Sequence, residues 1–196
     1  MDNSLAAVYL GIFVVFLTFA GWFVFAQVFK TRKNELTISK LEDKFQKQEG
    51  TIAEYFELGS IYLKKKLYVQ AINQMKKALK AAEAEMALEP MPIPEEAEGA
   101  EAEMPVAEPL APLYNALGYA YFGQEQFDMA IRNYKEALKC KPDYVVALNN
   151  LAHAYERKKL PRQALETYEA VLNQDPKNVV AKNRCKSLRR QVVAPG

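Results

Sequence analysis

Residues 111–144 and 145–178 carry one pattern twice, in register. Leu117 is answered by Leu151, Tyr121 by Tyr155, Ala130 by Ala164, Tyr134 by Tyr168 and Pro142 by Pro176, always at the same spacing. A period of 34 with these residue types predicts helix–turn–helix pairs that bury their apolar faces by stacking on one another. Gly118, with Ala152 as its counterpart, and the pair Ala130 and Ala164 are small where two helices must approach closely. The tyrosines and leucines fill the space between them. Pro142 and Pro176 end the second helix of each pair, because proline lacks an N–H and clashes one turn back. A further copy, the first in chain order, occupies 52–85, with Tyr55, Leu58, Gly59, Tyr62, Ala71, Met75 and Ala78 in the matching places. It has no closing proline, and strong helix formers follow it, so its second helix is expected to run long and stop before Pro90.

The spacing from Gly59 to Gly118 exceeds one period, and the excess matches the span 86–110. Residues 86–110 are therefore an insertion between the first and second copies. It holds seven glutamates, five prolines and no basic residue. Such a segment buries too little apolar surface to offset its ordering entropy, so disorder is expected beyond Glu89, as a spacer or an acidic recognition arm. A long loop costs only slightly more to close than a short one, so the first copy still stacks on the second. After the third copy, Ala181, Cys185, Leu188 and Val192 form one helical stripe, with Lys182, Lys186, Arg189 and Arg190 opposite. That pattern predicts a terminal helix that covers the exposed end of the array.

At the other end, residues 5–29 contain no charge and six of the ten phenylalanines. At about 1.5 Å per residue this run reaches roughly 37 Å, enough to cross a hydrocarbon core of about 30 Å with tilt. Tyr9 and Trp22 lie toward its ends, as amphipathic aromatics prefer. A cleaved signal peptide needs a basic start and a shorter apolar core, whereas this chain opens with Met-Asp-Asn-Ser. An uncleaved anchor is expected, with no transit peptide ahead of it, so that the protein is made in the compartment where it works. Lys30, Arg32 and Lys33 follow at once, which places the remainder on the cytoplasmic side, or the stromal side in a plastid, and the N-terminus across the membrane. Ile38, Leu41 and Phe45 recur at helical spacing in a charged stretch, read as a short amphipathic connector helix closed by Gly50. Thr51 and Glu54 form a capping box for the next helix.

The chain is thus predicted to be all-α: a single transmembrane helix followed by an α–α superhelix. Its parts are an anchor (1–30), a connector (31–50), a first repeat (51–85), the insertion (86–110), a second repeat (111–144), a third repeat (145–178) and a capping helix with a tail (179–196). Catalytic chemistry has little to build on. There is one histidine, His153, no Gly-rich phosphate loop, and two cysteines, Cys140 and Cys185, too far apart for a metal spacing. A net charge of +2 without a concentrated basic stripe excludes a nucleic-acid footprint. No catalytic residue, metal, cofactor or small-molecule substrate is expected. The remaining class is a protein-binding scaffold.

The period and its residues are those of the tetratricopeptide repeat (TPR). In stacked TPR pairs the first helices line a concave face where partner peptides lie. Carried onto this chain, the lining is Phe56, Ser60 and Leu63, flanked by Ala53 and Lys64, then Asn115, Tyr119 and Phe122, then Asn149, His153 and Glu156. Asn115 and Asn149 are one period apart and are expected to form a short amide ladder for an extended peptide. The Lys–Asn–Arg pattern with which chaperone-binding TPRs clamp a C-terminal carboxylate is missing at its five places, which hold Phe56, Ser60, Ala116, Val146 and Asn150.

Through residues 38–83, after a single anchor and ahead of further repeats, the chain resembles the membrane-anchored TPR proteins that assist photosystem I assembly in cyanobacteria and chloroplasts. That resemblance implies a thylakoid protein without cofactor, whose partners are photosystem I subunits or assembly intermediates, and other assembly factors. Two other functions fit a membrane-bound TPR array: an inner-membrane scaffold for secretion or envelope assembly, and an import receptor at an organelle surface.

Overall fold

The computed structural model describes residues 2–88 and 108–193, and among these every regular element is helical. The chain forms two compact units, one up to Glu49 and one from Gly50 onward.

The first unit is essentially one helix, α1 (Asp2–Phe45). From Ala7 it is long and apolar enough to cross a membrane. Here the structure differs from the separate connector helix expected after residue 30. Nothing from Lys30 to Phe45 is Gly or Pro, so no residue stops the helix. Thr31 and Thr37 turn their hydroxyls back onto the carbonyls of Gln27 and Lys33, at 2.9 and 3.0 Å, without breaking it.

The second unit is three helix pairs and a final helix: α2 (Ile52–Lys64) with α3 (Tyr68–Leu88), α4 (Ala111–Gly123) with α5 (Phe127–Cys140), α6 (Val145–Arg157) with α7 (Pro161–Gln174), then α8 (Val179–Val193). The start of α2 is fixed by the expected capping box. Thr51 Oγ1 accepts from the Glu54 N–H, and Glu54 Oε2 accepts from the Thr51 N–H at 3.0 Å. Helix α3 does run long, to Leu88. Most of the insertion lies outside the described residues. Its last three, Glu108–Leu110, make a single 3₁₀ turn into α4, with Leu110 buried.

The core follows the period. Leu58, Leu117 and Leu151 are buried on the first helices, and Ala71, Ala130 and Ala164 are wholly buried on the second. Behind them Met75, Tyr134 and Tyr168 fill the gap between the paired helices. Each turn within a pair closes the same way. Lys66, Glu125 and Lys159 adopt φ near +60°. The next N–H then reaches back to the carbonyls of Tyr62, Tyr121 and Tyr155, at 2.9, 3.0 and 2.9 Å. This is the Schellman closure of a helix end, made here without glycine.

The outer side of α8 differs in chemistry from that of the earlier first helices. One period earlier, Leu148, Ala152 and Tyr155 face a second helix; their counterparts on α8 are Lys182, Lys186 and Arg189. Cations replace the apolar side that a further helix would need. Ala181, Cys185 and Leu188 keep the inner stripe and are buried.

Candidate functional site

The first helices of successive repeats touch, α2 with α4 and α4 with α6, more extensively than successive second helices do. The first helices therefore make one continuous side of the array. Residues three and four apart on those helices make a common face. Phe56, Ser60 and Leu63 lie half-buried on α2, Asn115 and Phe122 on α4, and Asn149 and Glu156 on α6. Tyr119, 46% exposed, and His153 stand further out.

The expected ladder of two free amides is rearranged. Asn149 Nδ2 donates to the Val145 carbonyl of its own helix at 3.0 Å. Asn115 instead pairs with Asn150, whose Nδ2 donates to Asn115 Oδ1 at 2.9 Å across the repeat boundary. The amide row is thus Asn115, Asn150 and Asn149, cross-braced between α4 and α6. Asn183 stands one further period along, on α8. Outside this row, Val146 and Val180, also one period apart, are 51% and 61% exposed.

Between α6 and α8 the face opens into a cleft of about 340 Å³. Asn149, Asn150 and His153 line one wall, Asn178, Val180 and Arg184 the other, and Tyr168 of α7 the third side. Glu156 sits at its edge. The Tyr168 hydroxyl donates to Glu156 Oε2 at 3.2 Å, and Arg184 Nε approaches the same oxygen at 3.8 Å. Burial, then the Glu156 charge, holds the Tyr168 hydroxyl protonated well above its ordinary range. Desolvation lowers the His153 imidazole below its usual value; Glu156 opposes this and Arg184 and Arg157 add to it, so the ring is neutral at neutral pH. His153 also lies against Phe122, ring centroids 4.9 Å apart. Arg157 stacks over Phe122 and Phe127 and reaches Glu125 at 3.4 Å, which closes the far edge of the face.

The nine residues read from the sequence all lie on α2, α4 and α6. Asn178, Asn183 and Arg184, at and beyond the start of α8, are not among them. The signal is present, since Asn183 and Arg184 fall one period after Asn149 and Asn150. Reading α8 as a cap alone masks it.

Comparison with known proteins bears on what this face serves. Models of the tetratricopeptide repeat match residues 55–85 and 145–178, and a TPR repeat model matches 118–159. The protein ycf37 of Cyanophora paradoxa is 34% identical over 184 residues, spanning 94% of this chain and 95% of that one. The chain belongs to the Ycf37 family. Another ycf37, from Pyropia yezoensis, is 31% identical over 94% of each chain. PYG7 of Arabidopsis thaliana, a chloroplastic tetratricopeptide repeat domain-containing protein, is 30% identical over 97% of this chain, which spans 56% of its length. Among solved structures, MamA superposes with a TM-score of 0.63 at 19% identity, over 83% of this chain and 82% of that one. YrrB, described as a TPR protein with an unusual peptide-binding site, gives 0.61 at 18% identity, over 83% and 71%. At such identities the likeness concerns the fold. This member of the Ycf37 family is accordingly a TPR protein-interaction scaffold with one helix able to cross a membrane.

Proposed function

We propose that the protein is anchored in the thylakoid membrane by α1 and holds an extended segment of a photosystem I subunit, or of a companion assembly factor, on its first-helix face during assembly of that complex. The observation that carries this is the cross-braced amide row on the first-helix face. Amides present both donors and an acceptor, and so hold a peptide backbone whatever its sequence. Tyr119 and Phe122 beside the row offer apolar contact that selects the segment. The plastid setting is supported by the chloroplastic relative PYG7.

Affinity purification of the full chain from mildly solubilised membranes tests the partner. Photosystem I subunits are expected to co-purify; secretion or envelope components in their place would favour a general envelope scaffold. The Asn115→Ala/Asn149→Ala double variant tests the face. It is expected to weaken client capture by about 1–3 kcal/mol, the scale of losing buried hydrogen-bond partners. Circular dichroism serves as the control, since the lost Asn115–Asn150 bond costs only about 1 kcal/mol of fold stability. Undiminished capture by a folded double variant would move the site off this face.

A further inference from the structure

We infer that the turn joining α2 to α3 is a membrane-contact site, which lays the first repeat on an anionic lipid surface. The inference rests on α1 spanning a bilayer and on nothing about the client.

The turn reads Lys64-Lys65-Lys66-Leu67-Tyr68-Val69, three cations followed by three apolar residues. The lysines, Leu67 and Val69 are exposed, Val69 at 59%. Tyr68 is the one turned inward. Its ring lies over Gly123 at the end of α4, where a Cβ would come within 2.3 Å. This brace holds the turn against the second repeat and leaves its two aliphatic neighbours facing water. The left-handed backbone at Lys66 and the bond from the Leu67 N–H to the Tyr62 carbonyl fix the turn from the α2 side.

The two equivalent turns serve as an internal control. Val69 is aliphatic where Asp128 and Arg162 stand in the second and third repeats, and Leu67 is exposed where Leu160 is half-buried. Charge at those turns is settled between them. Arg157 of the third meets Glu125 of the second at 3.4 Å, and Lys158 meets Asp128. Lys64 and Lys66 make no ion pair among the described residues. The first turn thus joins uncompensated cations to exposed aliphatics. A bilayer surface takes both: anionic headgroups attract the ammonium groups, while the lysine stems, Leu67 and Val69 enter the apolar boundary. Tethering by α1 holds that surface at high local concentration, so a weak attraction suffices. Reach is no obstacle, since α1 runs about 24 Å past Phe29 and α2, which leads to the turn, measures about 20 Å.

The test reconstitutes the full chain into vesicles of phosphatidylcholine and phosphatidylglycerol, two to one, and into phosphatidylcholine alone. In a Cys140→Ser/Cys185→Ala background, one fluorophore is attached through Gln70→Cys or through Gln163→Cys, its counterpart in the third repeat. Both glutamines are exposed. Doxyl-labelled lipid is expected to quench the dye at 70 and to leave the dye at 163 bright. Quenching at 70 should fall in phosphatidylcholine alone, in Lys64→Gln/Lys66→Gln and in Leu67→Ser/Val69→Ser. For the lysine pair the bound-to-free ratio of the turn should drop on the order of tenfold, as expected for two basic residues at an anionic surface. It should hold in Lys182→Gln/Lys186→Gln, which removes the same charge from α8. Circular dichroism should be unchanged throughout, because every substituted lysine and aliphatic is exposed. Equal loss in the α8 pair would mean a diffuse field and overturn the site. Equal quenching at 163, or quenching indifferent to phosphatidylglycerol, would overturn it too. A dye at 70 that stays bright overturns the lipid contact, and cross-linking from the same position to an acidic protein in native membranes would then assign the turn to that partner. A carbonate wash separates the two failures. A chain that washes out of the vesicles refutes the anchor and the inference with it; a chain that stays, with the dye at 70 bright, refutes the turn alone.

Discussion

Gly59 and Gly118 hold the same place in their repeats and meet different neighbours. A Cβ on Gly118 would lie 2.7 Å from the Tyr134 ring and 3.2 Å from the Ala130 carbonyl. Tyr134 is almost wholly buried, and neither it nor the backbone can retreat. A Cβ on Gly59 would meet the end of Met75, at 2.8 Å from Cε, and an unbranched thioether repacks. We expect Gly118→Ala to cost about 1–3 kcal/mol in urea denaturation. Gly59→Ala should be close to neutral, since the gain of about 1 kcal/mol in helix propensity offsets the crowding. Ala130, wholly buried against the same ring system, should likewise reject a larger side chain: Ala130→Leu is expected to cost about 1–3 kcal/mol. Equal behaviour of the two glycine variants would mean that the tyrosine does not set the helix spacing. The same tyrosines set an alkaline limit. Burial raises the Tyr134 and Tyr168 hydroxyls well above the ordinary value of about 10. Above that pH the unfolded state releases protons that the folded state keeps, so folding stability declines as pH rises through and beyond about 10. In an absorbance titration these two phenols should ionise only with loss of the helical signal; their titration in the native chain would refute the burial argument.

Helix ends are where this chain departs most from ideal chemistry. Lys66, Glu125 and Lys159 hold a left-handed conformation at the three turns within the repeats, and glycine reaches that region without a steric cost. Lys159→Gly is expected to stabilise the array by up to about 1 kcal/mol, the steric relief being partly offset by the larger entropy of the unfolded chain. Chemical denaturation of the full chain in micelles measures it, and a loss of stability would show that the lysine side chain contributes contacts that outweigh the relief. Thr51 is a case of favourable chemistry. Removing its hydroxyl leaves the Glu54 N–H without its cap, and Thr51→Ala should lower stability by about 1 kcal/mol in the same denaturation experiment. At α8, Asn178 Oδ1 accepts from the Ala181 N–H at 3.0 Å, so this cleft residue also starts the helix that carries Arg184.

For the molecule as a whole, the expected arrangement is a bilayer-spanning α1 with the repeats on the cytoplasmic or stromal side. Lys30, Arg32 and Lys33 at the end of the uncharged run motivate it. Protease added to that face of intact membranes should digest the repeats, while repeats protected until the membrane is broken would reverse the topology. Helices α3 and α4, on either side of 90–107, lie directly on each other. Deleting 90–107 is therefore expected to shift the thermal transition little, and a large fall would show that the segment contributes to the core.

Much of this architecture was legible in the sequence because its information is local and periodic. A residue type recurring once per repeat marks a packing place whatever its surroundings, so the period alone points to the buried positions of Leu117, Tyr121, Ala130 and Tyr134. The uncharged run at 5–29 likewise speaks for a spanning helix by length alone. What needed the tertiary structure was every feature made by residues far apart in the chain. Asn150 turns to Asn115 rather than leaving Asn149 to form the rung, because that choice depends on how closely α6 approaches α4. The cleft is lined by residues from α6, α7 and the start and body of α8 together, and no pattern within one helix encodes that meeting. Arg184 and Arg189 are both arginines on one short helix. Only the three-dimensional placement of Glu156 and Glu169 decides that one fork is filled and the other left open.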